Sequence, residues 1–159
     1  MFLTNYGKSQ TQTRFDYFIG YGFYDGIFAG SEYFFKSKTH SVSLSIGGYY
    51  KYGNNQRYYA LSPSYNIAVF RKRKDKNELF KWHLNNKFVI WQQDDDVYKW
   101  RVISLIPSLN RQFTMYHKLR ISIDAGPSLN IVLDSERKTF DEVGWPYHVY
   151  PNFSVRFIF

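Results

Sequence analysis

The chain has 159 residues, enough for one domain, and its aromatic content is high, with 15 Tyr, 15 Phe and 4 Trp. Charged residues make up 21%, which excludes low-hydrophobicity disorder. A mean hydropathy of −0.46, with no apolar run near the ~18–20 residues a membrane helix needs, excludes a helical membrane protein. The absence of cysteine removes disulfide scaffolds, thiolate zinc sites and cysteine nucleophiles, while the net charge of +8 points to an acidic partner such as nucleic acid, lipid phosphate or an anionic surface.

Residues 1–13 read as a polar N-terminal arm, and residues 14–159 as a single β domain. Met1-Phe-Leu-Thr-Asn-Tyr-Gly-Lys8 has no basic region followed by an apolar one, so it is not a signal peptide. The expectation is a mature chain whose signal has been removed, or a piece of a longer one. From there the dominant pattern has a period of two, as in strands with one apolar and one polar face. It begins at Phe15, Tyr17, Ile19, Tyr21, Phe23, against Asp16, Gly20 and Gly22. It continues at Val42, Leu44, Ile46, Tyr50, Tyr52 against Ser41, Ser43, Ser45, Gly47, Lys51. Phe80, Trp82, Leu84, Phe88, Ile90 oppose Lys81, His83, Asn85, Lys87 in the same way. The longest case runs from Arg120 to Asp134, with Ile, Ala, Pro and Leu on odd positions and mostly Ser, Asp, Gly and Asn on even ones.

Turn chemistry divides the chain into eight strands, at roughly 14–23, 28–36, 41–52, 57–71, 78–91, 97–111, 117–134 and 143–159. The breaks are Asp25-Gly26, a two-residue hairpin signal, then Lys38-Thr39-His40 and Gly53-Asn54-Asn55. Arg71–Asn77, Gln92–Asp96, Gln112–Tyr116 and Ser135–Glu142 complete the set. Short connections imply antiparallel neighbours in an up-and-down meander. One motif recurs: Pro63-Ser-Tyr-Asn66, Pro107-Ser-Leu-Asn110 and Pro127-Ser-Leu-Asn130 each put Pro and the third residue on the apolar face. It reads either as coincidence in a Ser/Asn-rich β chain or as a reused hairpin module.

Eight such strands close into one of two opposite barrels: a soluble calyx with apolar residues inside, or a transmembrane barrel with them outside. The polar face favours the second, being built of Ser, Gly, Asn and isolated charges rather than the dense Lys and Glu of a solvated surface. Its charges are Asp16, Glu32, Lys51, Lys81, Lys87, Arg120, Asp124 and Arg156. Aromatic residues also gather toward strand ends. Tyr50, Tyr52, Tyr59, Trp91, Trp100 and Trp145 are expected to form an interfacial girdle on one rim. The fold class expected is all-β, an eight-stranded antiparallel up-and-down transmembrane β-barrel.

The last strand adds a more specific signal. Phe153, Val155, Phe157 and Phe159 alternate with Ser154, Arg156 and Ile158, and the sequence ends on Phe159. This resembles the C-terminal signal of bacterial outer-membrane barrels, which the barrel-assembly machinery reads. The whole chain resembles small eight-stranded barrels of the OmpA/OmpX-like class, and Ala125-Gly-Pro-Ser-Leu129 is similar to barrel domains frequent in Bacteroidota. The resemblance implies integral residence in a Gram-negative outer membrane among phospholipid and lipopolysaccharide. It implies no cofactor, no metal and a structural or accessory role, as a subunit or lateral partner of an outer-membrane protein complex. With both termini periplasmic, connections near residues 24–27, 53–56, 92–96 and 135–142 would face outward, and the last four strands would project as a small sheet open to a partner strand.

Other candidates have plainer alternatives. Arg71-Lys-Arg-Lys-Asp-Lys76 is a lipid-phosphate or acidic-partner site, or else a solvated turn; no motif supports nucleic acid. Asp94, Asp95 and Asp96 cannot converge on one cation from an extended strand. His40, His83, His117 and His148 form no recognisable nucleophile–base arrangement, so no catalytic residue is expected. The rival functions are a lipid-A-modifying enzyme, for which His148 is the test residue, and a soluble lipocalin-like carrier. The inward charges read as a salt-bridged plug or as an anion-binding lumen.

Overall fold

The computed structural model describes residues 15–35, 39–51, 56–69, 82–96, 98–116, 119–137 and 149–159, so the expected arm at residues 1–13 lies outside the described residues. Eight strands follow in chain order: β1 (Phe15–Gly22), β2 (Gly26–Phe34), β3 (His40–Lys51), β4 (Gln56–Val69), β5 (Trp82–Asp94), β6 (Tyr98–Tyr116), β7 (Leu119–Arg137) and β8 (Val149–Ile158). Each pairs antiparallel with the next, and β1 pairs with β8 from Phe18↔Ile158 to Gly22↔Ser154, closing the barrel. Two further backbone bonds bracket this seam, from Phe159 N–H to the Tyr17 carbonyl (2.9 Å) and from Phe23 N–H to the Phe153 carbonyl (3.1 Å). We call the end that holds Phe159 and the β2–β3, β4–β5 and β6–β7 connections the terminal end.

Alternation fixes which side chains meet inside. In β5 the inward residues His83, Asn85, Lys87, Val89 and Trp91 are buried, while Leu84, Phe88 and Ile90 lie exposed on the outer surface. In β7 the inward residues Arg120, Ser122, Asp124, Ser128 and Asn130 are buried. The barrel is therefore polar inside and apolar outside. Two inward Phe rings fit because glycines face them: a Cβ on Gly20 would collide with Phe28, and one on Gly30 with Phe18.

The three Pro-Ser-x-Asn segments share one disposition. Pro63, Tyr65, Leu109, Pro127 and Leu129 point outward, and Asn66, Asn110 and Asn130 point inward and are buried. Proline has no N–H to give a ladder. The β4–β5 register accordingly skips from Leu61↔Ile90 to Ser64↔Lys87, and the β6–β7 register from Leu105↔Leu129 to Leu109↔Ala125, where Pro107 and Pro127 stand.

Four expected breaks differ from the structure: β5 continues through Gln92–Asp94 and β7 through Ser135–Arg137, and two others differ in kind. Gln112–Tyr116 is strand, not turn: β6 runs to Tyr116 because Gln112 points inward and accepts a bond from Arg120 (3.3 Å), while Phe113 points outward. Asp25-Gly26 is not a two-residue turn. Gly22 pairs with Gly26, so the loop holds Phe23, Tyr24 and Asp25, and Gly26 closes it at φ 64°. That is the three-residue hairpin with a left-handed glycine.

At Gly26 a Cβ would also approach the Gly48 carbonyl to 2.8 Å. Gly26→Ala is expected to cost about 1–2 kcal/mol in denaturant unfolding. Unchanged stability would show that the left-handed conformation is not required there.

Candidate functional site: the barrel interior

The interior separates into a charged layer toward the terminal end and an aromatic layer toward the other. In the charged layer Lys87 Nζ lies 2.6 Å from Asp25 Oδ2, and both residues are buried. Ser62 also donates to Asp25. Arg156 lies 3.2 Å from Asp124, which accepts further bonds from Asn85 (3.0 Å) and Ser154 (3.3 Å). Arg120 pairs with Asp16. Glu32 accepts from Ser41 and from Asn66 (2.9 Å). The cations also rest on rings, Lys87 5.7 Å from the Phe28 centroid and the Arg156 guanidinium 5.4 Å from that of Phe18. Each cation thus meets a carboxylate from a different strand or loop, which is what burial of charge demands.

The aromatic layer is built from Tyr24, Tyr58 and Trp91, packed with Ala60, Val89, Val102 and Ile106. Its polar atoms are bonded in series. Tyr58 donates to the Tyr24 carbonyl; Trp91 Nε1–H donates to Ser104 Oγ (2.9 Å); Ser104 donates to Asn130 Oδ1 (2.7 Å); and Asn130 Nδ2 donates to the Tyr24 hydroxyl (3.0 Å). Tyr49 stacks on Tyr58 with ring centroids 5.0 Å apart. Above this floor a cavity of ≈ 400 Å³ opens, walled by Tyr21, Phe23, Tyr49, Gln56, Gln93, Asp95, Tyr98 and Trp100. No pattern in the sequence marks a pocket here. Asp95 is a loop brace, accepting from Tyr98 N–H (2.7 Å) and Gln93 (3.0 Å). Among the described residues no three His, Cys, Asp or Glu side chains gather as a metal site.

Of the inward charges expected from sequence, Asp16, Glu32, Lys87, Arg120, Asp124 and Arg156 all line the interior. Lys81 and the Lys51 side chain lie outside the described residues. Asp25, the partner of Lys87, was missed because Asp-Gly carries the same turn signal whether the carboxylate faces water or folds into the barrel. The expected girdle needs correcting at Trp91 and at Trp100, which shares the inward parity of Val102 and Ser104 and lines the cavity. Trp91 is an interior residue, 1% exposed, because it shares the inward parity of Lys87 and Val89. Tyr24, Phe28 and Tyr58, which cluster near turns in the sequence, are likewise inside. Tyr59 does face outward, and Trp100 is half-buried against the aromatic layer. The Tyr50 side chain, Tyr52, Trp145 and the basic run Arg71–Lys76 lie outside the described residues. Phe153, Phe157 and Phe159 are exposed on the outer face, with Val155 half-buried beside them. His83 is buried inside and His40 bonds Tyr65 OH through Nδ1 (2.7 Å), while His117 and His148 lie outside the described residues.

No protein-family model, curated protein or solved structure matches the chain.

The interior chemistry is that of a filled, cross-strand plug. Asp25→Asn strands the Lys87 ammonium inside the barrel and is expected to cost about 3–5 kcal/mol in equilibrium unfolding. Combining it with Lys87→Met removes the uncompensated charge, so the double variant should be more stable than Asp25→Asn alone. If the two single losses simply add, the pair is not coupled.

Proposed function

We propose that the protein is a small integral β-barrel of a Gram-negative outer membrane, with a structural or accessory role beside another outer-membrane protein. One observation carries this reading: charges are buried inside and large apolar side chains cover the outside. Ile19, Leu44, Ile46, Leu61, Leu84, Ile90, Leu105, Leu109, Leu129 and Ile131 are all 40% or more exposed, whereas Lys87, Asp124 and Arg156 are at most 6% exposed. Exposed apolar residues scattered singly are ordinary, but a band around a whole barrel needs an apolar surround. Ser31 and Asn86 interrupt it without breaking it. A soluble carrier requires the opposite arrangement, an apolar calyx under a polar exterior; here the exterior is apolar, and paired charges and Ser/Asn networks fill the lumen below the aromatic layer.

Toward the ends of the barrel the outer surface turns aromatic. Phe15 packs on Tyr33 (4.9 Å) and Tyr33 on Phe35 (5.7 Å) at the terminal end, and Tyr59 lies exposed on the outer face toward the other. Such belts suit headgroup depth, where amphipathic rings are favoured. The outward row Phe153, Val155, Phe157 and Phe159 has the alternation that the assembly machinery of these membranes reads. In this reading the terminal end is periplasmic.

An accessory role is supported by length. β6 and β7 have 19 residues each and pair out to Tyr98↔Arg137, beyond the start of β8 at Val149↔Leu129. Strands of about 9–11 residues suffice to cross a bilayer. The surplus carries Ile131 and Leu133, 64% and 53% exposed, on a surface where a neighbouring protein can sit. The enzyme alternative rests on His148, outside the described residues, and no interior group described here has a nucleophile–base geometry.

Two experiments test the reading. The folded chain should require detergent or vesicles, and Leu44→Arg should destabilise the vesicle-inserted form by about 2–4 kcal/mol; a detergent-free monomer indifferent to Leu44→Arg overturns it. Photo-crosslinkers at positions 131 and 133 in native membranes should capture one defined outer-membrane protein. A lone, uncrosslinked chain would remove the accessory role while leaving the membrane assignment intact.

A further inference from the structure

Arg111 is an anomaly on the outer surface. It lies in β6 opposite Trp82, the first residue of β5, near the terminal end, and its side chain is exposed. Its guanidinium lies close to two rings, 4.9 Å from the Trp82 centroid and 4.8 Å from the Phe113 centroid. No carboxylate pairs with it among the described residues, in contrast to Arg120 and Arg156 inside. Aromatic rings attract the guanidinium charge but give its five N–H donors no carbonyl or carboxylate acceptor.

An arginine on a lipid-facing surface costs ~2–4 kcal/mol at mid-bilayer and little at the headgroups, so its position near a barrel end is tolerable only at headgroup depth. There the abundant acceptor is phosphate, whose oxygens match the planar fork of guanidinium. The rings fix the fork and lower the entropy lost on engaging an anion.

We propose that Arg111, beside Trp82 and Phe113, docks the phosphate of an anionic phospholipid in the leaflet around the terminal end. The inference rests on the membrane reading above. Trp82 and Phe113 act as positioning residues: they hold the guanidinium at the depth and angle where a phosphodiester meets it. A lysine at position 111 keeps the charge but loses the planar fork and its stacking, so it restores binding only in part.

Native mass spectrometry of the folded full chain, released from detergent, tests this with three probes at equal concentration: phosphatidylglycerol, phosphatidylcholine and inorganic phosphate. The expected result is a retained phosphatidylglycerol adduct exceeding the other two. Arg111→Gln should weaken that adduct about 10-fold, the equivalent of one charge-assisted phosphate contact. Arg111→Lys and Trp82→Leu should give intermediate losses, and Arg101→Gln, an exposed arginine at the other end of the same strand, should change nothing. Heat-modified gel mobility reports folding for each variant, so that a misfolded Arg111→Gln is replaced by the Trp82→Leu measurement. A phosphatidylglycerol adduct equal in wild type and the folded variants overturns the proposal. Preferential retention of inorganic phosphate overturns the lipid as the source. Failure of the chain to insert into phosphatidylglycerol vesicles at all overturns the membrane reading itself, and the two failures are thereby separable.

Discussion

Eight strands closing on themselves leave an axis wide enough for side chains to meet across it and too narrow for a column of water. Everything else in this barrel follows from that limit. An inward carboxylate cannot wait for solvent, so Asp124 collects Arg156 and Ser154 from β8 and Asn85 from β5, and Asp25 reaches from a loop to Lys87. Because each partner comes from elsewhere in the ring, the plug also fixes strand order and register. A slip of one residue would turn Lys87 outward and Phe88 inward, exchanging a paired charge for a clash.

The same limit shapes the two layers. Small inward residues (Ser62, Ser104, Ser108, Ser122, Ser128) leave space into which Trp91, Tyr24 and Tyr58 fold from above and the charged side chains from below. The hydroxyls then serve as connectors, linking Trp91 through Ser104 and Asn130 to Tyr24. One end of the lumen is thus closed by rings and the other by ion pairs. An open conduit does not fit this filling; a rigid body presenting its outer surface and rims does.

Much of this was legible because a closed sheet obeys strict alternation. The parity that puts Lys87 inside is set by Leu84, Phe88 and Ile90, and it assigned Asp16, Glu32, Arg120, Asp124 and Arg156 to the interior as well. Alternation also places Trp91 inside; crowding of aromatics near turns is the weaker signal, and it points the wrong way there. What parity does not reach is the loop. Asp25 has no strand neighbours to mark its face, and its role depends on the left-handed Gly26 turning the loop back over the lumen. The cavity above Trp91 was equally hidden, since its walls come from the rim ends of five different strands together with the loop residues Phe23 and Asp95, a gathering that no single strand's pattern displays. Pro107 and Pro127 reveal a further gap: each marks a ladder interruption, but only the register shows that they share the same one.

The seam between β1 and β8 has a kinetic meaning. Every other junction joins strands adjacent in sequence and can zip from its own turn, whereas this one unites residues near position 20 with residues near 155 across five register positions, Phe18↔Ile158 to Gly22↔Ser154. Its loop-closure entropy is the largest in the molecule and its ladder the shortest, so it closes last and parts first. Until it closes, the edges of β1 and β8 are exposed templates, and a chain in that state depends on something else to cover them.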